Sequence, residues 1–400
     1  MVTGDRPSWP AGTEVVAECI ETPSTEGPMN FAFTPEQDML RDSVRSFLEA
    51  KTPMPRVRSL METATGYDPE LWGEMAALGW PAMHIPEGYG GAGFSHLELG
   101  IVLEEMGRGL TPAPMLSSVV LGANLLLLAG SEEQKKEHLA AIAAGEHTVA
   151  VAIVEPAGRW DAGGVSTTAR TDGGDIVLDG EKSYVVDGHT AHTVAVAARS
   201  DDGAVGFYLV DGHARGVTRT RLETMDMTRK QAAITLDGVR VPAAAALPGT
   251  APDTIARLYD LAAVALAFEQ VGGAQRCMEM AVAYAKDRVQ FGRAIGSFQA
   301  IKHKCADMLV AVESARSSAY YAGWAAATAD PELLVAAPLA KAYCSDAYFS
   351  VAAENIQVHG GIGFTWEHDA HLYFKRAKSS QLMFGDPAAW RATLADRIGL

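Results

Sequence analysis

Apolar positions along the chain change their period twice. From Thr34 to about His147 they recur at helical spacing, with Leu40, Val44, Phe47 and Leu48 on one face. Thr34-Pro35-Glu36-Gln37 is a helix start: threonine at the cap, proline at the first position, glutamine three residues after the cap. Leu97 to Met106 and Leu116 to Leu128 are expected as further helices. Ser131-Glu132-Glu133-Gln134 is expected as another cap, and Pro86 to Gly93 as a loop. From Thr148 to about Leu247 the period is that of strands. Turns at Asp172-Gly173-Gly174-Asp175, Asp179-Gly180 and Asp201-Asp202-Gly203 separate short apolar runs with no helix between them. That texture predicts an antiparallel sheet or barrel, not a parallel one. From Pro252 onward the chain is helical again, over Thr254 to about Arg288, Phe298 to about Thr328 and Pro331 to about Val358. Long helices joined by short loops predict a bundle.

The fold class expected is therefore α+β and multidomain. An N-terminal α-helical domain covers 29–148, a middle antiparallel β-domain 149–250 and a C-terminal helical bundle 251–400. Residues 1–28 carry Pro7, Pro10, Pro23 and Pro28 among polar residues and no apolar signal-peptide core. They are expected to be a flexible extension, with Met29 as an alternative start.

Composition narrows the function. Thirty-three basic against forty-nine acidic side chains give a net charge of −16, a poor match for nucleic acid or an anionic membrane. The longest apolar stretch, Val119 to Gly130, is too short to span a bilayer. Cys19, Cys277, Cys305 and Cys344 are scattered and form no paired motif, as expected of free thiols in a cytoplasmic protein.

Three motifs carry candidate chemistry. Gly88-Tyr89-Gly90-Gly91-Ala92-Gly93 matches a dinucleotide fingerprint literally but lacks the strand before it and the helix after it, and reads as a surface loop. Glu367, His368 and His371, and the pair His189 and His192, fall short of a convergent metal-ligand set, so no metal is expected. The stretch from Asp287 to Gln299 is more telling. It joins two long helices and holds Arg288, Phe291, Arg293 and Gln299: guanidiniums for phosphate, an aromatic to stack on a purine, an amide to bond its edge. Gln357-Val358-His359-Gly360-Gly361-Ile362-Gly363-Phe364 adds glycines that admit a ligand closely.

With Pro86-Glu87-Gly88-Tyr89-Gly90-Gly91, Glu104-Glu105-Met106-Gly107, Glu155-Pro156, Asp179-Gly180-Glu181-Lys182, Gly238-Val239-Arg240-Val241-Pro242 and Arg288-Val289-Gln290-Phe291-Gly292, these segments resemble the acyl-CoA dehydrogenase family, in order, from about Met29 to Gly385. The resemblance implies a helical domain, a β-domain and a C-terminal four-helix bundle. It implies FAD as cofactor, an acyl-CoA substrate, α,β-desaturation of the thioester, and an electron-transfer flavoprotein or similar acceptor. A carboxylate takes the α-proton while the β-hydrogen leaves as hydride to the flavin. The assembly implied is a homo- or heterotetramer with a second family member.

Residue by residue, the resemblance divides the site in two. The half that reaches a neighbouring subunit's FAD pyrophosphate and adenosine is kept: Arg288, Phe291, Gln299, Gln357, Gly360 and Gly361. The half that holds the chain's own flavin ring is eroded. Val154 and Trp160 stand where the family has hydroxyls, Val186 where it has a threonine, and Asp386 where it has a neutral threonine. The two positions where members place the base are Phe384 and Ala262. Glu269 lies seven residues beyond Ala262, on the same helix face and roughly 10 Å along the axis, and is the one candidate for a relocated base. Three readings follow. The first is a complete dehydrogenase using Glu269. The second is a non-catalytic partner, similar to subunits of actinobacterial heteromeric dehydrogenases acting on steroid-derived acyl-CoAs. The third is a flavin enzyme of the same fold with other chemistry, such as an oxidase.

Overall fold

Helix α1 (Pro35–Lys51) begins with the reciprocal cap its sequence encodes, Thr34 and Gln37 each accepting the other's backbone N–H. The computed structural model describes residues 34–400, so the expected extension 1–28 and Met29 lie outside the described residues. The N-terminal part continues through α2 (Met54–Met61), α3 (Pro69–Ala77) and α4 (His96–Gly109). A π-helical stretch, Met115–Ala123, runs into α5 (Asn124–Ala129). Ser131 then caps α6 (Glu132–Gln134), and α7 (Ala140–Ala143) follows.

Seven strands make the middle sheet: β1 (Val149–Ala152), β2 (Thr168–Asp172), β3 (Asp175–Val186), β4 (Thr193–Ser200), β5 (Val205–Asp211), β6 (Val217–Arg221) and β7 (Gln231–Pro242). Their order is β1-β4-β2-β3-β7-β6, with β5 on the free side of β4. The expected antiparallel sheet is present, with a correction at two pairings. The sequence neighbours that pair, β2–β3, β4–β5 and β6–β7, do so antiparallel, as do β3 and β7, but β4 runs parallel to both β1 and β2. Turn residues report only on strands joined by the turn. The β2–β3 excursion separates β1 from β4, and nothing local encodes their direction.

The C-terminal part is built on α8 (Thr254–Asp287), a two-strand hairpin β8 (Val289–Gln290) and β9 (Arg293–Ala294), α9 (Gln299–Ala327) and α10 (Leu333–His359). The shorter α11 (Ala370–Leu382) packs with these, and α12 (Pro387–Arg397) lies on α10. Two glycines let α4 cross α8 closely. A Cβ on Gly107 would sit 2.1 Å from the carbonyl oxygen of Glu269, and one on Gly272 would sit 1.7 Å from that of Glu104. A buried ion pair joins two of the signature segments. Lys182 Nζ donates to Glu155 Oε1 at 2.8 Å, and the same carboxylate accepts the Thr167 N–H at 2.8 Å. Among the described residues no helix is long and apolar enough to cross a membrane.

Candidate functional site

The residues expected at the ring-binding positions converge on one small void. Val154 follows β1, Val186 ends β3, Trp160 lies on the loop after β1, and Phe384 sits on the turn between α11 and α12. With Tyr259 of α8 they line a cavity of about 20 Å³. That is room for about one water molecule and far too little for a tricyclic ring. The filling is aromatic. Phe384 stacks on Tyr259 with centroids 5.3 Å apart, and Trp160 meets both edge-on at 5.8 and 6.0 Å. Behind this trio lies a cavity of about 640 Å³, which shares Trp160, Tyr259 and Phe384 as its floor. Its charged lining groups pair with one another: Arg397 forks onto Asp260 at 2.9 and 3.0 Å, and Arg159 pairs with Asp161 at 2.8 Å. The residues present do not accommodate a flavin ring belonging to this chain.

Neither usual base position holds a proton acceptor. Ala262 is fully buried in the helical core, one turn beyond Tyr259. Phe384 stands at φ 62° on a turn whose next residue, Gly385, has φ 104°. Asp386, which stands where the family has a neutral threonine, has a structural role. It is the N-cap of α12 and accepts the Ala389 N–H at 2.8 Å, work that threonine does equally.

Glu269 is buried and held by two arginines. Arg229 of the 222–230 loop forks onto both of its oxygens, and Arg376 of α11 donates to Oε1 at 3.0 Å. Arg376 also reaches Asp226 at 2.9 Å. Burial raises the Glu269 carboxyl pKa, but the Arg229 and Arg376 charges outweigh it and hold the group below the usual range. The neighbouring cavity of about 30 Å³ brings in Asp187, whose carboxyl burial pushes up to about 6 against a hydrogen bond from Ser117.

The other half of the expected site is open to solvent. Arg288 caps the C-terminus of α8 and among the described residues makes no ion pair. The β8–β9 hairpin turns through Phe291 (φ 52°) and Gly292 (φ 77°), a two-residue turn that leaves Phe291 91% exposed. Gln299 opens α9 and Gln357 lies near the end of α10, both exposed. Gly360 closes α10 at φ 66° and ψ −142°, a conformation essentially reserved for glycine, and Gly361 follows it on the surface. The rings of Tyr284 and His359 stack 4.4 Å apart, which ties the end of α8 to the end of α10 and brings the two segments side by side. Val289, Ile362, Phe364 and Trp366 add an exposed apolar rim. Glu367, His368 and His371 do not converge on a metal. His368 packs on His359, His371 packs on Trp366, and among the described residues no group of three or more ligands gathers. Gly88 to Gly93 follow no strand and carry a single 3₁₀ turn, Glu87–Tyr89.

Four residues escaped the sequence reading: Tyr259, Arg229, Arg376 and Lys341. Each matters through a partner far away in sequence, so no local spacing signals it.

Comparison with known proteins completes the picture. Family models described as the N-terminal, middle and C-terminal domains of acyl-CoA dehydrogenase match residues 34–146, 150–239 and 254–399. The chain is 36% identical over 355 residues to acyl-CoA dehydrogenase IpdE2 of Mycolicibacterium smegmatis, covering 88% of this chain and 95% of that one. Among solved structures it resembles a chain of the ChsE4-ChsE5 complex from Mycobacterium tuberculosis, with a TM-score of 0.85, 29% identity and coverage of 93% and 99%. It also resembles a glutaryl-CoA dehydrogenase from Mycobacterium smegmatis in complex with FADH2, with a TM-score of 0.85, 25% identity and coverage of 92% and 95%.

Proposed function

This chain belongs to the acyl-CoA dehydrogenase family, whose cofactor is FAD, and we propose that it acts as the partner subunit of a heteromeric acyl-CoA dehydrogenase. It supplies Arg288, Phe291, Gln299, Gln357, Gly360 and Gly361 to the pyrophosphate and adenosine of a flavin whose ring is held by a second, different subunit. Bound there, FAD supplies the hydride acceptor for desaturation of an acyl-CoA. The observation that carries this reading is the void of about 20 Å³ closed by Trp160, Tyr259 and Phe384. A chain with that filling has no place for its own ring, yet its surface half remains dressed for a phosphate and a purine.

The second subunit then carries the base, takes the acyl-CoA and passes electrons to an electron-transfer flavoprotein or similar acceptor. A relatedness to the ChsE4-ChsE5 complex supports an assembly of two unlike chains. Glu269 is read here as a structural anion. A base must offer a free lone pair to the α-proton, and this carboxylate is spent on two guanidiniums.

The test is flavin content. The chain purified alone should be colourless, and co-expression with a family member bearing an intact glutamate should give one FAD per two chains together with turnover. Isolation of this chain with about one FAD each, active on acyl-CoA, overturns the proposal.

A further inference from the structure

The turn that carries Phe384 is fixed by a buried cation. Lys341 of α10 is fully buried, and its Nζ donates to the carbonyl oxygens of Ser380 and Gln381 at 3.2 Å and of Gly385 at 3.3 Å. A fourth contact, at 3.0 Å, goes to Ser345 Oγ, which accepts from Gln270 of α8. Among the described residues no carboxylate touches the ammonium; its partners besides Ser345 are the orphan carbonyls at the C-terminal end of α11 and the turn beyond it. We propose that Lys341 is the positioning residue of this turn: through backbone carbonyls alone it seats residue 384 against Tyr259 and Trp160, whichever side chain residue 384 bears. The inference rests on the reading above only in that the turn here closes a ring site instead of presenting a base.

Donor counting makes the device sensitive to pH. An ammonium has three donors for the four acceptors around it; a neutral amine has two and turns a lone pair on a carbonyl. Burial disfavours the charged form and brings the Lys341 pKa down to about 7. The charged or titratable groups around it are Asp346 and Cys344 on its own helix, Lys378 on α11, and Asp386 and Arg391 at α12. Arg391 pairs with Asp346, Asp386 caps its helix, and burial pushes the Cys344 thiol up to about 12. Arg229 reaches Ser380 from the 222–230 loop and is answered by Glu269 of α8. None of these is placed to replace the proton that Lys341 gives up.

Two readouts then move in opposite senses. Above pH about 7 the folded chain sheds a proton that the unfolded chain keeps up to the ordinary lysine range, so global unfolding becomes harder with rising pH. The turn meanwhile loses a donor and loosens. Hydrogen–deuterium exchange of residues 379–390 in the isolated chain, corrected for the intrinsic rate, reads the turn and needs neither flavin nor a partner. Protection of this segment is expected to fall about tenfold between pH 6 and 8.5 in the wild type, and to be low and pH-independent in Lys341→Met, with α8 unchanged. Flat protection in the wild type, or wild-type protection in Lys341→Met, overturns the proposal. Should Lys341→Met not fold, Ser345→Ala removes one acceptor of the charged form and must move the midpoint to lower pH; an unmoved midpoint overturns the proposal equally.

Discussion

The ring of Phe384 lies on that of Tyr259, centroids 5.3 Å apart and planes inclined by 28°. One residue is at a base position of the family and the other is one turn before the alternative base position on α8. The stack thus ties the position where the resemblance puts one base to the helix turn before the other, Ala262. Phe384→Ala should therefore destabilise the chain by about 3 kcal/mol, the usual cost of emptying a buried phenylalanine site. Urea denaturation checks this, and a loss under about 1 kcal/mol would show the stack to be loose.

Arg288→Ala should weaken FAD retention in the assembled enzyme by about 1.5–3 kcal/mol, the value of a charge-assisted hydrogen bond. Flavin released across a dilution series measures it. Arg288 is exposed, so the isolated chain should melt as before. Lysine at this position should restore only part of the loss, because it cannot fork onto two oxygens.

Glu269→Gln leaves Arg229 and Arg376 buried with Asp226 as the remaining anion. Breaking such a pair costs about 3–5 kcal/mol, and urea denaturation at neutral pH should show it. Turnover of the assembly should persist at temperatures where the variant stays folded. A folded variant with no turnover would make Glu269 a base after all.

Acid should find the Glu155–Lys182 pair. Burial raises the Glu155 carboxyl, but hydrogen bonds from Lys182, Ser166 and Thr167 outweigh it and hold the group down at about 2. A carboxyl depressed on folding contributes stability that is complete above its unfolded value of 4.5 and is lost as pH falls toward about 2. Stability measured across that window should decline in the wild type. In Glu155→Gln the decline should be shallower, starting from a lower plateau because Lys182 is left unpaired.

Gly360→Ala tests the backbone proposed to face the cofactor. A Cβ there would meet open space, so the whole effect is the strain of φ 66°. It should cost about 1–3 kcal/mol and reduce flavin retention in the assembly, measured by melting and by flavin release.

Much of this was legible in the chain itself. The Thr34 and Ser131 caps, the three long helices and the change to strand period are written in local spacing, and local hydrogen bonds enforce them. The division of the expected site into a kept and an eroded half is what the resemblance implies, and the structure adds only that Arg288 and Gln357 are exposed while Val154 and Phe384 are buried. What stayed hidden has long-range causes. The parallel pairing of β1 with β4 depends on a closure between strands with a hairpin between them. The fate of Glu269 depends on Arg229 and Arg376, 40 and 107 residues away. The N-cap role of Asp386 was hidden because the short helix it opens carries little apolar periodicity.

The apolar rim around Phe291, Phe364 and Trp366 has a consequence for the cell. Water gains by covering such a patch, and until a second chain covers it the nearest available cover is another copy of the same patch. If the chain pairs with an unlike subunit as proposed, synthesis faster than that subunit leaves a surplus whose easiest fate is clumping or degradation. Under the heteromeric reading proposed above, the two messages should be translated in balance, and dosage would set how much active assembly accumulates.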